Sequence, residues 1–201
     1  MKIHPTNLPD VLIVEPDVHR DERGFFLETW HAEKYASQGL DARFVQDNHS
    51  RSSSGILRGL HAQLARPQGK LLRATVGEIY DVAVDIRRGS PTFGQHASVV
   101  LSAENFRQLW IPEGFAHGFC VTSPVAELQY KCTALYDPSD EITIRWDDPA
   151  IGIDWPIDAP QLSAKDSAAR TLAEFAEDCL LYTSPSPRDQ RPNLVCRLLL
   201  E

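Results

Sequence analysis

The chain has 201 residues, 42% hydrophobic and 24% charged, which suits one soluble globular domain, or one domain plus a tail, with a sizeable core. Its 28 acidic side chains outweigh 20 Lys and Arg, for a formal net charge of −8. That balance argues against a general nucleic-acid binder, yet leaves room for a small anion held in a local basic pocket. No apolar run approaches the length of a membrane span, and Met1-Lys2-Ile3-His4-Pro5 lacks the apolar stretch of a signal peptide. A cytoplasmic protein with no membrane partner is expected.

The first 160 or so residues read as β-rich. Residues 11–14 and 24–28 are predicted strands, 32–36 a short helix, and 44–48 resume extended structure. Residues 70–76 form a strand that runs into the Gly77-Glu78 turn. Residues 79–86 then alternate, with Val82, Val84 and Ile86 on one face and Asp81, Ala83 and Asp85 on the other. That second face must meet solvent or a polar cavity. Further strands are predicted at 97–101, 107–111, 118–123 and 127–133, punctuated by Gly89-Ser90-Pro91, Pro112-Glu113-Gly114 and Asp137-Pro138-Ser139. Many short strands with evenly spaced turns suggest a β-sandwich or a small barrel. One more helix is predicted from Ser167 to Glu177, with Asp166 or Ser167 as its N-cap.

From Cys179 onward the character changes to a Pro- and Ser-rich stretch, Ser184-Pro185-Ser186-Pro187, and then to apolar residues without periodicity. Of the four cysteines, Cys120 and Cys132 sit in apolar segments without metal-ligand spacing, and Cys179 and Cys196 lie near the end. Buried, inert thiols are expected rather than a disulfide framework.

Several side chains could carry chemistry, and each has a plainer reading. His61, in Gly59-Leu60-His61-Ala62-Gln63, sits on a strand, where a histidine is more often structural. Metal-binding barrels place a second histidine two residues on; here that position is Gln63, a poor ligand, so a metal centre is disfavoured. Lys70 opens a strand and is ordinarily a solvated lysine, but beside an enolate or phosphate it would be a charge clamp. His117 lies between Phe115 and Phe119 and reads first as packed; Tyr130 reads first as core. Asp166, before the last helix, reads first as a cap.

The ordered motifs change that balance. Asp21-Glu22-Arg23-Gly24-Phe25-Phe26, Phe44-Val45-Gln46-Asp47-Asn48-His49-Ser50, Leu57-Arg58-Gly59-Leu60-His61, Pro67-Gln68-Gly69-Lys70, Asp81-Val82-Ala83-Val84-Asp85, Ser90-Pro91-Thr92-Phe93-Gly94, the run from Gln108 to Phe119, Tyr130-Lys131-Cys132-Thr133 and Gly152-Ile153-Asp154-Trp155-Pro156 occur in that order. Over residues 3 to 176 or so, the chain resembles the dTDP-4-dehydrorhamnose 3,5-epimerases. The resemblance implies an all-β, cupin-type β-barrel (jelly-roll) with short flanking helices. It also implies a homodimer working without metal or other cofactor on a dTDP-4-dehydro-6-deoxyhexose.

In such an enzyme the 4-keto group acidifies the protons at C3 and C5. The chemistry needs a base on one ring face, an acid on the other and a cation at the enolate oxygen. The resemblance assigns the base to His61, its orienting carboxylate to Asp166, the opposing acid to Tyr130 and the cation to Lys70. It assigns substrate contacts to Gln46, Asp47, Asn48, Arg58, Lys70, His117, Glu141 and Lys165. Arg23 and Glu28, on the N-terminal strands, would reach the partner subunit's site. Arg58 and His61 have opposite parity on a regular strand, so a bulge or twist at Gly59 is expected if both face one cavity. A single-carbon epimerase on a related 4-keto sugar nucleotide is the nearest alternative. A non-catalytic sugar-nucleotide binder is a second, and a metal-dependent cupin dioxygenase a third, disfavoured by Gln63. Residues 1–178 are expected to form one domain. Residues 179–201, which resemble translated sequencing-adapter read-through, are expected to be a non-native or disordered tail.

Overall fold

The computed structural model describes residues 1–175. The predicted tail and the end of the predicted last helix lie outside the described residues. The chain begins with β1 (Lys2–Pro5), β2 (Leu12–Glu15), the hairpin β3 (Val18–Asp21) and β4 (Gly24–Leu27), and α1 (Ala32–Ser37). Eight strands follow: β5 (Gln46–Ser53), β6 (Leu57–Gln63), β7 (Lys70–Val76), β8 (Glu78–Asp85), β9 (His96–Ser102), β10 (Gln108–Ile111), β11 (Phe115–Val121) and β12 (Val125–Cys132). The described part ends with β13 (Glu141–Thr143), α2 (Ala164–Ser167) and α3 (Leu172–Phe175).

The eight central strands divide four and four between two antiparallel sheets. One runs β1-β2-β10-β7-β12-β5 and the other β13-β6-β11-β8-β9. The orders 5-12-7-10 and 6-11-8-9 are those of a jelly roll, so the predicted cupin-type barrel is found. No helix among the described residues is long and apolar enough to cross a membrane.

Period-two alternation sends one set of side chains inward from each strand. Leu72, Ala74, Leu109, Ile111, Ala126 and Leu128 from one sheet meet Ile79, Ala83, Val99, Leu101, Phe115, Phe119 and Val121 from the other in the interior core. The outer face of the five-stranded sheet carries Leu57, Leu60, Ala62, Val82, Val84 and Ile86. It is covered by Ile144, Ile151, Trp155, Leu172 and Phe175 from the C-terminal segment. Helix α1 and Trp30 cover part of the other sheet through Tyr35, Leu40 and Leu71. The face of β8 bearing Asp81, Ala83 and Asp85 therefore points inward, not to solvent. Cys120 and Cys132 are buried free thiols.

Several predicted boundaries differ, strand 118–123 for one being Phe115–Val121, and two of the differences have a local cause. Extended structure at 44–48 becomes strand only at Gln46, because Phe44 packs against the outer cluster around Trp30 and Trp110. Within the described residues the predicted helix from Ser167 is instead broken, α2 ending at Ser167 and α3 beginning at Leu172, and the cap of α2 is Ser163, whose hydroxyl accepts from the Asp166 backbone N–H. One continuous helix is ruled out because the Arg170 carbonyl is taken by the Arg145 N–H at 2.8 Å, a bridge to the barrel wall.

The expected irregularity at Gly59 is a one-residue slip. His117 of β11 pairs with His61, while Phe119 pairs with Arg58, so three residues of β6 span two of β11. Arg58 and His61 consequently share the inner face. Gly59 takes φ +120, and a Cβ there would stand 2.5 Å from Gly118 Cα and 2.7 Å from the His117 carbonyl oxygen. Gly59→Ala must therefore strain the backbone and push β6 from β11. A stability loss of about 3 kcal/mol is expected in urea unfolding; a loss below about 1 kcal/mol would show that the close approach is dispensable.

Candidate active site

Toward one end of the barrel the inward positions change from apolar to polar. On β12 the inward series Ala126, Leu128 leads to Tyr130; on β7, Ala74, Leu72 leads to Lys70; on β11, Val121, Phe119 leads to His117. Tyr130 pairs across to Asn48, and Cys132 to Gln46 on one side and Lys70 on the other. His61 pairs with His117 and Thr143, and Gln63 with Glu141. These registers gather Gln46, Asn48, Arg58, His61, Lys70, His117, Tyr130 and Glu141 around one cavity of about 300 Å³. His61 and Tyr130 come from opposite sheets.

His61 Nε2 lies 2.6 Å from Asp166 Oδ1. A carboxylate only accepts, so Nε2 carries a hydrogen, and in the neutral ring the lone pair is on Nδ1. Asp166 is nearly fully buried, and its second oxygen accepts the Ser163 hydroxyl at 2.9 Å. Burial pushes the Asp166 carboxyl up, but the hydrogen bond and charge of His61, with Ser163, outweigh it and hold the carboxyl below its ordinary range. Asp166 reaches His61 because Gln161 is tied to the start of β6, through its N–H to the Gly55 carbonyl and its carbonyl to the Leu57 N–H.

Lys70 is a half-buried cation that makes no ion pair among the described residues. Burial lowers its pKa below the ordinary lysine value, against the opposing pull of Cys132, Glu141 and Asp81. Burial raises the Tyr130 phenol. Asp81 is fully buried with its Oδ2 2.9 Å from His117 Nε2. Burial pushes the Asp81 carboxyl up even with His117 beside it. Arg58 donates through Nε to Ser52 Oγ at 3.0 Å. The arrangement offers an oriented base, a facing phenol that keeps its proton, and, beside the phenol, a cation with no ion pair among the described residues.

The sequence matches the dTDP-4-dehydrorhamnose 3,5-epimerase family over residues 5–174. The chain belongs to this family. It is 52% identical over 195 residues to the dTDP-4-dehydrorhamnose 3,5-epimerase of Neisseria gonorrhoeae, which covers 96% of this chain but 58% of that longer relative. It is 54% identical over 181 residues to the Pseudomonas aeruginosa enzyme of the same name, covering 89% of this chain and 99% of the relative. The crystal structure of dTDP-6-deoxy-D-glucose-3,5-epimerase from Legionella pneumophila, in complex with dTDP-4-keto-L-rhamnose, matches with a TM-score of 0.89. Identity there is 51%, over 91% of this chain and 99% of that one.

Not every residue expected at the epimerase site lines the cavity. Asp47 alternates outward between Gln46 and Asn48 and pairs with Lys131 at 2.9 Å. Lys165 sits outside, bound to Glu141. Arg23 is 86% exposed at the hairpin tip, paired with Asp21, and Glu28 follows the hairpin and pairs with Lys34. Within one chain neither reaches the cavity. Gln63 is spent on structure: its amide donates to the Arg66 and Leu135 carbonyls and accepts the Asp137 N–H. Sequence reading missed Asp81 as the partner of His117, though its place on the polar side of β8 was a signal. Tyr136, which lines the cavity and bonds Glu141, sits in a loop and gave none.

The electrostatics predict the alkaline side of the pH profile. kcat/KM reports the free enzyme. The protonated Lys70 is the useful form beside an enolate, so activity should fall as pH rises through its lowered pKa, below 10.5. Tyr130, pushed up, holds its proton longer. The residual activity of Lys70→Met should lack this limb and that of Tyr130→Phe should keep it; the reverse pattern would reassign the limb.

Proposed function

We propose that the chain inverts C3 and C5 of dTDP-4-dehydro-6-deoxy-D-glucose, giving dTDP-4-dehydro-L-rhamnose for L-rhamnose biosynthesis. The observation that carries the reading is the Asp166-oriented His61 facing Tyr130 across one cavity, with the half-buried cation Lys70 beside Tyr130 on the same wall. His61 Nδ1 takes the proton from the carbon beside the ketone. The C–H electron pair becomes the enolate, with its negative charge on the oxygen that Lys70 faces. Tyr130 then gives a proton to the same carbon from the other face, and the configuration inverts. No oxidation state changes, so proton transfer alone balances the reaction.

A carbon acid beside a ketone is far weaker than imidazolium. The Lys70 charge in a desolvated wall is therefore a leading contribution to the rate. Among the described residues Arg58 bonds only through Nε, which leaves its terminal guanidinium nitrogens for the diphosphate, a contact suited to arginine. The reading assigns the activity to one domain, residues 1–178.

We also read the active form as a homodimer. The β3–β4 hairpin exposes Phe25 at 57% and Phe26 at 71%, next to Arg23. Exposed aromatics beside an arginine suit an interface core. A partner's hairpin there would bring Arg23 and Glu28 to a neighbouring cavity.

Incubation with dTDP-4-dehydro-6-deoxy-D-glucose in deuterated water, followed by NMR, tests the reaction. Deuterium is expected at both C3 and C5. Label at one carbon would make this a single-carbon epimerase, and no exchange would remove the enzymatic reading. His61→Ala should abolish exchange at both carbons, a loss of at least about 10²-fold for a positioned base, while nucleotide binding stays within about threefold.

A further inference from the structure

We propose that Glu141 is the outlet for the proton that His61 takes from the sugar, and that a second inversion on the same bound sugar depends on this outlet. The inference rests on the reaction proposed above. Each inversion leaves His61 with one proton too many and Tyr130 with one too few. A second inversion on the same bound sugar needs both restored while the ligand fills the cavity.

The geometry assigns the His61 side of that reset to Glu141. His61 Nε2 is committed to Asp166, so the arriving proton sits on Nδ1. Glu141 Oε1 lies 3.9 Å from Nδ1. The other carboxylate oxygen, Oε2, accepts from both Lys165 Nζ and the Tyr136 hydroxyl. Those two bonds anchor the group and leave Oε1 turned to the imidazole. The separation is about 1 Å beyond a hydrogen bond, which a small side-chain rotation or one bridging water closes. Glu141 itself is 13% exposed, while Lys165 is half exposed at the mouth, so the carboxyl spans from His61 to solvent.

The transfer balances. The Nδ1–H bond breaks and an Oε1–H bond forms, leaving neutral imidazole and neutral Glu141. The carboxylic acid then loses its proton to water at the rim, and the carboxylate returns to Lys165 and Tyr136. Asp166 cannot do this, because it is buried and holds the opposite nitrogen. Glu141 is therefore a relay acting through His61, not a group that attacks the sugar.

Glu141→Gln keeps the size and the hydrogen-bonding reach but cannot carry the proton. In deuterated water, wild type should release sugar labelled at both C3 and C5. Glu141→Gln should release sugar labelled at one carbon, with the ratio of doubly to singly labelled product falling at least tenfold. Formate added to Glu141→Ala should restore that ratio by replacing the missing carboxylate. A group that only binds the sugar would slow both exchanges alike, and formate would change nothing. An unaltered ratio in Glu141→Gln, with wild type exchanging at both carbons, overturns the relay and leaves the epimerase reading standing. Absence of exchange in wild type overturns both.

Discussion

The hydrogen bond between His61 Nε2 and Asp166 Oδ1 joins residues 105 apart in sequence, and much of the fold is the means of making it. The barrel supplies His61 from β6. The carboxylate arrives on a segment that must first cross the outer face of the same sheet. What holds that segment is apolar contact. Ile151, Trp155, Leu172 and Phe175 bury themselves on Val82, Val84, Ile86 and their neighbours. Each such burial contributes roughly 2 kcal/mol, against about 1.5–3 kcal/mol for one hydrogen bond to a charged group. The packing therefore dominates, and the dyad is set in place by it. One face of the five-stranded sheet fixes the geometry of the chemistry on the other.

Lys70 is a second constraint of the opposite kind. A half-buried ammonium without an ion pair among the described residues is costly, and the cost lowers its pKa. Asp81 is near enough to pull the other way, but its carboxylate is turned to His117. That pairing keeps a negative charge from settling on Lys70 and cancelling it. The two sheets thus face each other with an acid–histidine pair on one and, on the other, a cation that makes no ion pair among the described residues. The charge that would satisfy Lys70 is one that develops on the ligand as a proton leaves carbon.

Most of the fold was legible because its strands obey period two. The alternation on β8 and the punctuated strands after it are enough for a β-sandwich or a small barrel; the jelly roll comes only from the family resemblance. The failures have local causes. The last helix was read as continuous because its composition is helical, and no pattern in sequence announces that the Arg170 carbonyl will be spent on Arg145. The site was legible as an ordered set of motifs, not from any side chain taken alone. Asp47 shows the limit of motif reading. It sits between two cavity residues, yet strand alternation turns its side chain away. Asp81 was placed on the correct face but had no assigned partner, since its pairing with His117 depends on a register between β8 and β11 that sequence does not print.

The jelly roll suits a reaction that must act on both faces of one ring. Its sheets stand face to face about 10 Å apart, and inward side chains from each take up part of that gap. What remains is a slot with two walls. His61 and Arg58 project from one wall, and Tyr130 and Lys70 from the other. A flat sugar in this slot has base and acid on opposite sides without any movement of protein. Which carbon reacts is then a matter of how the ring sits against the two walls, since neither wall distinguishes C3 from C5 by chemistry. The one-residue slip at Gly59 belongs to the same logic. Without it Arg58 and His61 could not both enter the slot, and the wall would offer either an anchor for the ligand's charge or a base, but not both.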